Sequence, residues 1–229
     1  LNQTKQLQST MVIKRIHKKT LDFILDTYDK AERRLIFLDY DGTLVPFKKN
    51  PEDANPDGEL INLLNQLSIS EKNELVLISG RDKNTMNQWF GDMDFNLVAE
   101  HGAWLRQKNK QWNVIEPFSN DWKKEIYPVL ELYVERTPGS FIEEKEFSLV
   151  WHYRKADVGL GELRARELTG TATDLTGNLD LQILEGNKII EVKNSGINKG
   201  RAALNWLKSE NWSFVLAIGD DWTDEDLFK

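Results

Sequence analysis

LDYDGTLVPF, residues 38–47, continues the apolar run Leu35-Ile36-Phe37 and sets two carboxylates, Asp39 and Asp41, one residue apart at its end. On a strand, side chains two apart face the same way, so both carboxylates point into one pocket if the strand geometry persists to the tip. Like charges this close repel unless something positive intervenes, and a hard divalent cation that takes oxygen ligands is the economical solution. The run 35–38 is apolar without alternation, as are 75–78 and 214–218. Such strands are buried on both faces, as in a parallel sheet covered by helices.

Outward from this stretch the chain alternates. RLIFLDYD, NELVLISG, FNLVAEHGAWL and SFVLAIGDD read as strands. PDGELINLLNQLSIS, RDKNTMNQWFG (capped by Asp82) and NKGRAALNWLKSE read as helices. Between them lies a block of different texture. DWKKEIYPVLELYVERTPG is a helix ending at Pro138-Gly139, and SFIEEKEFSLVWHYR is a strand or hairpin. GLGELRARELTGTATDL is a second helix, and LDLQILEGNKIIEVK is a hairpin turning at Glu185-Gly186-Asn187. The expected architecture is therefore α/β: a Rossmann-like core with a parallel sheet over 31–117 and 193–229, and an inserted α+β cap over 118–192. Residues 1–30 are expected to be a linker and an N-terminal helix, the helix spanning about 21–32 on the spacing of Leu21, Ile24, Leu25 and Tyr28.

Ligands of open α/β sheets bind outside the carboxyl ends of the strands. Three further features stand at such ends or at a helix start. Ser79 closes the apolar run of LVLISGR, followed by Gly80 and Arg81. Lys199 begins a helix, where free N–H groups and the ammonium both favour an anion. Asp220, Asp221 and Asp224 form a dense acidic cluster after LAIG, which asks for a metal. Taken singly, Asp-x-Asp is a turn, Ser79 a turn residue, Lys199 a solvated lysine, and the acidic run a helix cap. Together, at corresponding places in the fold, they mark one site.

The bulk composition narrows the partners. A net charge of −7 argues against nucleic acid or an anionic membrane as the main partner. The chain has no cysteine, which excludes disulfides and cysteine zinc sites; a cytoplasmic setting is the expectation. No apolar run approaches the roughly 18–20 residues of a membrane span. The opening LNQTKQLQSTMVIKRIHKK has no secretory h-region and reads as part of a longer chain.

The four motifs, Asp39-Tyr40-Asp41-Gly42-Thr43, Ser79, Lys199 and Gly219-Asp220-Asp221, resemble in order and type those of the haloacid dehalogenase superfamily of phosphohydrolases. With LDYDGTL, SGR, EHG, HYR and GDDWTDEDLF, residues 30–229 resemble the trehalose-6-phosphate phosphatase family within it. That resemblance implies hydrolysis of trehalose 6-phosphate, a Mg²⁺ cofactor and a set of roles. Asp39 is the nucleophile, Asp41 the acid and base, and Thr43 holds Asp41. Ser79, Gly80, Arg81 and Lys199 hold the phosphoryl group. Asp39, Asp41 through its main-chain carbonyl, and Asp220 bind the metal, with Asp221 and Asp224 behind them. Glu143, Lys145, Arg154, Lys188 and Glu191 on the cap bind the sugar. The resemblance also implies further strands and a helix after Lys229, and a trehalose-phosphate synthase domain before residue 1. From the residues themselves, Glu100-His101-Gly102 reads as a packing and turn element near the cap hinge, and Trp151 and His152 read as packing residues. The alternatives are a phosphatase for another sugar phosphate, a phosphotransferase or mutase, or a non-catalytic regulatory or scaffolding domain of a synthase. Against the last stands the complete set of Asp39, Asp41, Lys199 and Asp220.

Overall fold

The run that opens the motif forms β1, Arg34–Asp39, buried along its whole length. A computed structural model describes residues 16–48 and 50–229. In chain order the regular elements are α1 (Lys18–Lys30), β1, α2 (Gly58–Ile69), β2 (Asn73–Ile78), α3 (Lys83–Phe90), β3 (Asn96–Ala99), β4 (Trp104–Arg106) and β5 (Asn113–Val114). There follow α4 (Lys123–Glu135), β6 (Phe141–Glu144), β7 (Ser148–His152), α5 (Val158–Thr176), β8 (Leu181–Gly186), β9 (Ile189–Asn194), α6 (Lys199–Leu207) and β10 (Phe214–Ile218).

The core sheet has the order β10-β1-β2-β3-β4-β5. Its first four strands run parallel, and β4 and β5 return antiparallel. One face packs Leu35, Phe37, Val76 and Ile78 against Ala202, Ala203 and Trp206 of α6. The other packs Ile36, Leu38, Leu75 and Leu77 against α2 and α3 through Leu64, Met86 and Phe90. Both faces of β1 and β2 are thus covered, which is why their sequences are apolar without alternation. The run 214–218 departs from that expectation. Val215 and Ile218 of β10 are 48% and 43% exposed, because among the described residues β10 pairs only with β1.

FNLVAEHGAWL also differs from its reading as one strand. The chain leaves β3 at Ala99 and turns through Glu100 (φ 49°), His101 (φ 55°) and Gly102 (φ 117°) into the antiparallel β4. Three successive left-handed residues reverse the chain where apolar content alone suggests continuation. α1 spans Lys18–Lys30 and has no buried residue. The linker expected over residues 1–20 lies mostly outside the described residues.

The second layer is a four-stranded antiparallel sheet, β6-β7-β9-β8. Trp151, Leu149, Ile190 and Val192 pack one of its faces against Ile126 and Leu130 of α4 and Leu168 and Ala172 of α5. Each such side chain contributes about 1.5–3 kcal/mol when fully buried. By strand alternation the other face carries Phe141, Glu143, Val150, His152, Glu191 and Lys193. The last hairpin turns at Asn187-Lys188 rather than at 185–187, with Lys188 at φ 63°, and α4 ends at Glu135, short of Pro138. β9 continues to Asn194, so the cap runs slightly past 192.

Aspartates cap the helices. Asp57 accepts from Leu60 N at the start of α2, Asp82 from Asn84 N and Thr85 N at α3, and Asp157 from Leu160 N at α5. Asp157→Ala should therefore cost about 1 kcal/mol in urea denaturation without changing catalysis. No loss would mean that α5 is held by packing alone. Among the described residues no helix is long and apolar enough to cross a membrane.

Candidate active site at the seam of core and cap

Asp39, the last residue of β1, is buried at the carboxyl edge of the sheet. Lys199, the first residue of α6, reaches it: Nζ donates to Asp39 Oδ1 at 2.6 Å and to Asp224 Oδ1 at 2.7 Å. α6 starts here because Asn198 caps it, accepting from Arg201 N. All three charged groups are buried. Burial pushes the Asp39 carboxyl above its ordinary range, Lys199 pulls against it, and the Asp224 charge adds to the rise. Burial works against the Lys199 ammonium, but Asp39 and Asp224 more than offset it and hold its pKa high.

Asp41 does not follow Asp39 by strand alternation. β1 ends at Asp39, and the chain turns through Gly42 (φ 88°), with Leu44 N and Val45 N donating to Tyr40 O. Arg81 takes Asp41 in a two-point ion pair, Nε to Oδ2 at 2.9 Å and Nη2 to Oδ1 at 2.6 Å. Arg81 is itself fixed by Pro51 O and lies over the Trp89 ring. Thr43, expected to hold Asp41, instead donates to Asp220 Oδ1 at 3.3 Å. Gly42 is required at this point, since a Cβ would lie 2.1 Å from the Asp220 carboxylate.

Asp39, Asp220 and Asp224 each offer an oxygen, and these lie within 4.8 Å of one another. Burial and the charges of Asp221 and Asp224 raise the Asp220 pKa. A converging set of carboxylates with one lysine between them is a donor set that fits a hard divalent cation. Asp224, expected behind the ligands, is fully buried; besides Lys199 it accepts from Asp220 N and Asp221 N, and so shapes the loop. Asp221 lies outside the converging set and accepts from Thr223 N and Oγ1 as a helix cap.

Ser79 is buried at the tip of β2, and its Oγ accepts from Arg81 N. The cap closes directly over this loop, with Lys145 Nζ donating to Gly80 O at 2.9 Å and lying 3.8 Å from Glu191 Oε1. Glu191 Oε2 meets His101 Nε2 at 3.2 Å, and Glu143 Oε2 meets His152 Nε2 at 2.6 Å. Burial opposes the Glu191 charge, yet Lys145 and His101 hold its carboxyl far below the ordinary range. Among the expected sugar ligands, Glu143, Lys145 and Glu191 come together. Lys188 does not join them: it pairs with Glu162 on α5 at 2.7 Å, on the helix side of the sheet. Arg154 donates to Asn187 O at the hairpin tip.

A group whose pKa falls on folding adds stability that is complete above its unfolded value and lost as the pH drops below it. Glu191, ordinarily at 4.5, should therefore steepen the acid limb of the stability profile below that pH. Glu191→Gln should flatten this limb in urea titrations; an unchanged limb would contradict the shift.

His101 and His152, read from sequence as packing residues, each bind one of the cap carboxylates. Spacing gives no signal for this, since their partners lie 90 and 9 positions away.

The family model described as trehalose-phosphatase matches residues 37–229. Alpha,alpha-trehalose-phosphate synthase [UDP-forming] B of Dictyostelium discoideum is 40% identical over 208 residues, covering 90% of this chain and 26% of that protein. The bifunctional trehalose-6-phosphate synthase/phosphatase of Thermoproteus tenax is 37% identical over 210 residues, covering 92% of this chain and 29% of its own length. The solved C-terminal domain of Candida albicans trehalose-6-phosphate phosphatase superposes with a TM-score of 0.86 at 34% identity, covering 90% of this chain and 76% of that one. The chain thus spans little more than a quarter of either curated relative.

Proposed function

The chain belongs to the trehalose-phosphatase family, and from that membership we propose that it hydrolyses trehalose 6-phosphate to trehalose and phosphate. The reading rests on one arrangement: a buried Asp39–Lys199–Asp224 cluster beside Asp41 and Asp220, directly under Lys145 and Glu191 of the cap. Asp39 attacks phosphorus as the ester bond to the sugar oxygen breaks, leaving an aspartyl-phosphate. Asp41 gives its proton to the departing oxygen, then takes one from the water that attacks phosphorus and releases Asp39. In the resting arrangement Arg81 holds both Asp41 oxygens. An arriving phosphoryl group competes for Arg81 and frees Asp41 for these transfers. Lys199 and the Ser79 hydroxyl hold the phosphoryl oxygens, and Lys199 also offsets the Asp39 charge. Asp39, Asp220 and the Asp41 carbonyl would hold Mg²⁺, with Asp224 and Asp221 behind them. When bound, the cation neutralises charge on the phosphoryl oxygens. Glu143, Lys145 and Glu191 receive the sugar hydroxyls. A cytoplasmic setting accords with the cysteine-free sequence, and a synthase domain in the same polypeptide accords with the bifunctional relative.

Phosphate release from trehalose 6-phosphate, glucose 6-phosphate, sucrose 6-phosphate and p-nitrophenyl phosphate, each with Mg²⁺ and with EDTA, tests this reading. The expected result is a metal-dependent preference for trehalose 6-phosphate. Glu191→Ala should lower kcat/KM for trehalose 6-phosphate about 10-fold or more beyond its effect on p-nitrophenyl phosphate. Equal loss on both would remove Glu191 from the sugar site, and preference for another ester would reassign the substrate.

A further inference from the structure

The turn between β3 and β4 contacts the Ser79–Arg81 loop, the cap and the start of α6. It places two consecutive non-glycine residues, Glu100 and His101, in the left-handed region at φ 49° and 55°. Side chains other than glycine enter that region at a cost, which surrounding contacts must offset. Those contacts run in three directions. Toward the phosphate loop, Glu100 N donates to Arg81 O at 2.8 Å and His101 N to Ser79 O at 3.0 Å. Toward the cap, Glu100 Oε2 accepts from Phe147 N at 3.1 Å, and His101 Nε2 meets Glu191 Oε2 at 3.2 Å. Toward α6, Gly102 packs so closely that a Cβ would lie 2.7 Å from Asn198 O, one residue before Lys199. Gly80 leaves room for the imidazole, since a Cβ there would sit 2.4 Å from His101 Nε2.

The cap carboxylate is only half used by these contacts. His101 occupies Glu191 Oε2, whereas buried Oε1 faces Lys145 Nζ at 3.8 Å, beyond hydrogen-bond distance, and has no hydrogen-bond donor. A buried acceptor without a donor is costly, and a ligand hydroxyl would satisfy it.

We propose that the Glu100–His101 turn is a latch that lets the cap close in one register only, with His101 positioning Glu191 so that its second oxygen receives a sugar hydroxyl. This rests on the reading of the chain as a sugar-phosphate phosphatase. His101 acts through Glu191 and is a positioning residue. The strained turn ties cap closure to the Ser79–Arg81 loop, so the loop that holds the phosphoryl group is braced when the sugar-binding face is in place.

The test uses the full chain and the substitutions His101→Ala, His101→Asn and Glu100→Ala. Asn accepts the left-handed backbone and carries a donor, while Ala offers neither. His101→Ala should raise KM for trehalose 6-phosphate and lower its kcat/KM, relative to that for p-nitrophenyl phosphate, by about 10-fold or more. His101→Asn should recover part of that ratio. Without substrate, amide exchange at Phe147 should quicken in His101→Ala, where Phe147 N keeps its Glu100 acceptor, because the cap opens more often; Glu100→Ala, which removes that acceptor, gives the released rate for comparison. A ratio within about two-fold of wild type, no recovery with Asn, or unchanged exchange at Phe147 overturns the latch. A wild-type chain inactive on trehalose 6-phosphate would instead overturn the substrate assignment, while the exchange measurement still decides the latch.

Discussion

Asp39→Asn should reduce phosphate release by at least about 10³-fold, because an amide cannot open the covalent route that a carboxylate nucleophile provides. The fold should survive. Burial already works against the Asp39 charge, and Lys199 keeps Asp224 as a partner at 2.7 Å. The variant is therefore expected to keep the circular dichroism and urea transition of a folded protein while turnover disappears. A folded variant retaining more than about 10% of wild-type kcat/KM would show that another group attacks phosphorus.

Lys199→Met should be the most destabilising of the proposed substitutions. It removes the cation between Asp39 and Asp224, which are 4% and 0% exposed, and leaves two carboxylates facing each other without compensation. Removing one partner from a buried pair typically costs about 3–5 kcal/mol. That loss should appear in urea denaturation with EDTA present. Added Mg²⁺ should return part of it, since a cation bound by the native carboxylates stabilises the folded state by mass action. A loss below about 1 kcal/mol in EDTA would mean that the carboxylates carry no net charge together. Restoration by sodium chloride as effective as that by Mg²⁺ would argue for screening rather than a defined cation site.

Much of the architecture is legible along the chain because it depends on local periodicity. The unbroken apolar runs at 35–38 and 75–78 give a parallel sheet covered on both sides, and the covered strands β1 and β2 have that environment. Asp82 caps α3, as its place before the helix indicates. Legibility fails where the backbone leaves regular geometry. The turn read at Glu100-His101-Gly102 is there, but its left-handed angles make it a full reversal, so one apparent strand is two antiparallel ones. Gly42 likewise turns Asp41 off the line of β1, so the two carboxylates acquire different cations, Lys199 and Arg81.

The sequence by itself determined the order of the long helices and of β1, β2, β3 and β10, the second layer between them and the residue types gathered at the strand tips, because hydrophobic periodicity and short motifs act over a few residues. Only the tertiary structure decided the pairings across the seam. Thr43 serves Asp220 rather than Asp41, Lys188 joins Glu162 on the helix side, and His101 and His152 hold the cap carboxylates. Such pairings are fixed by packing two layers together, and electrostatic partners are chosen by distance in space, which residue spacing does not encode.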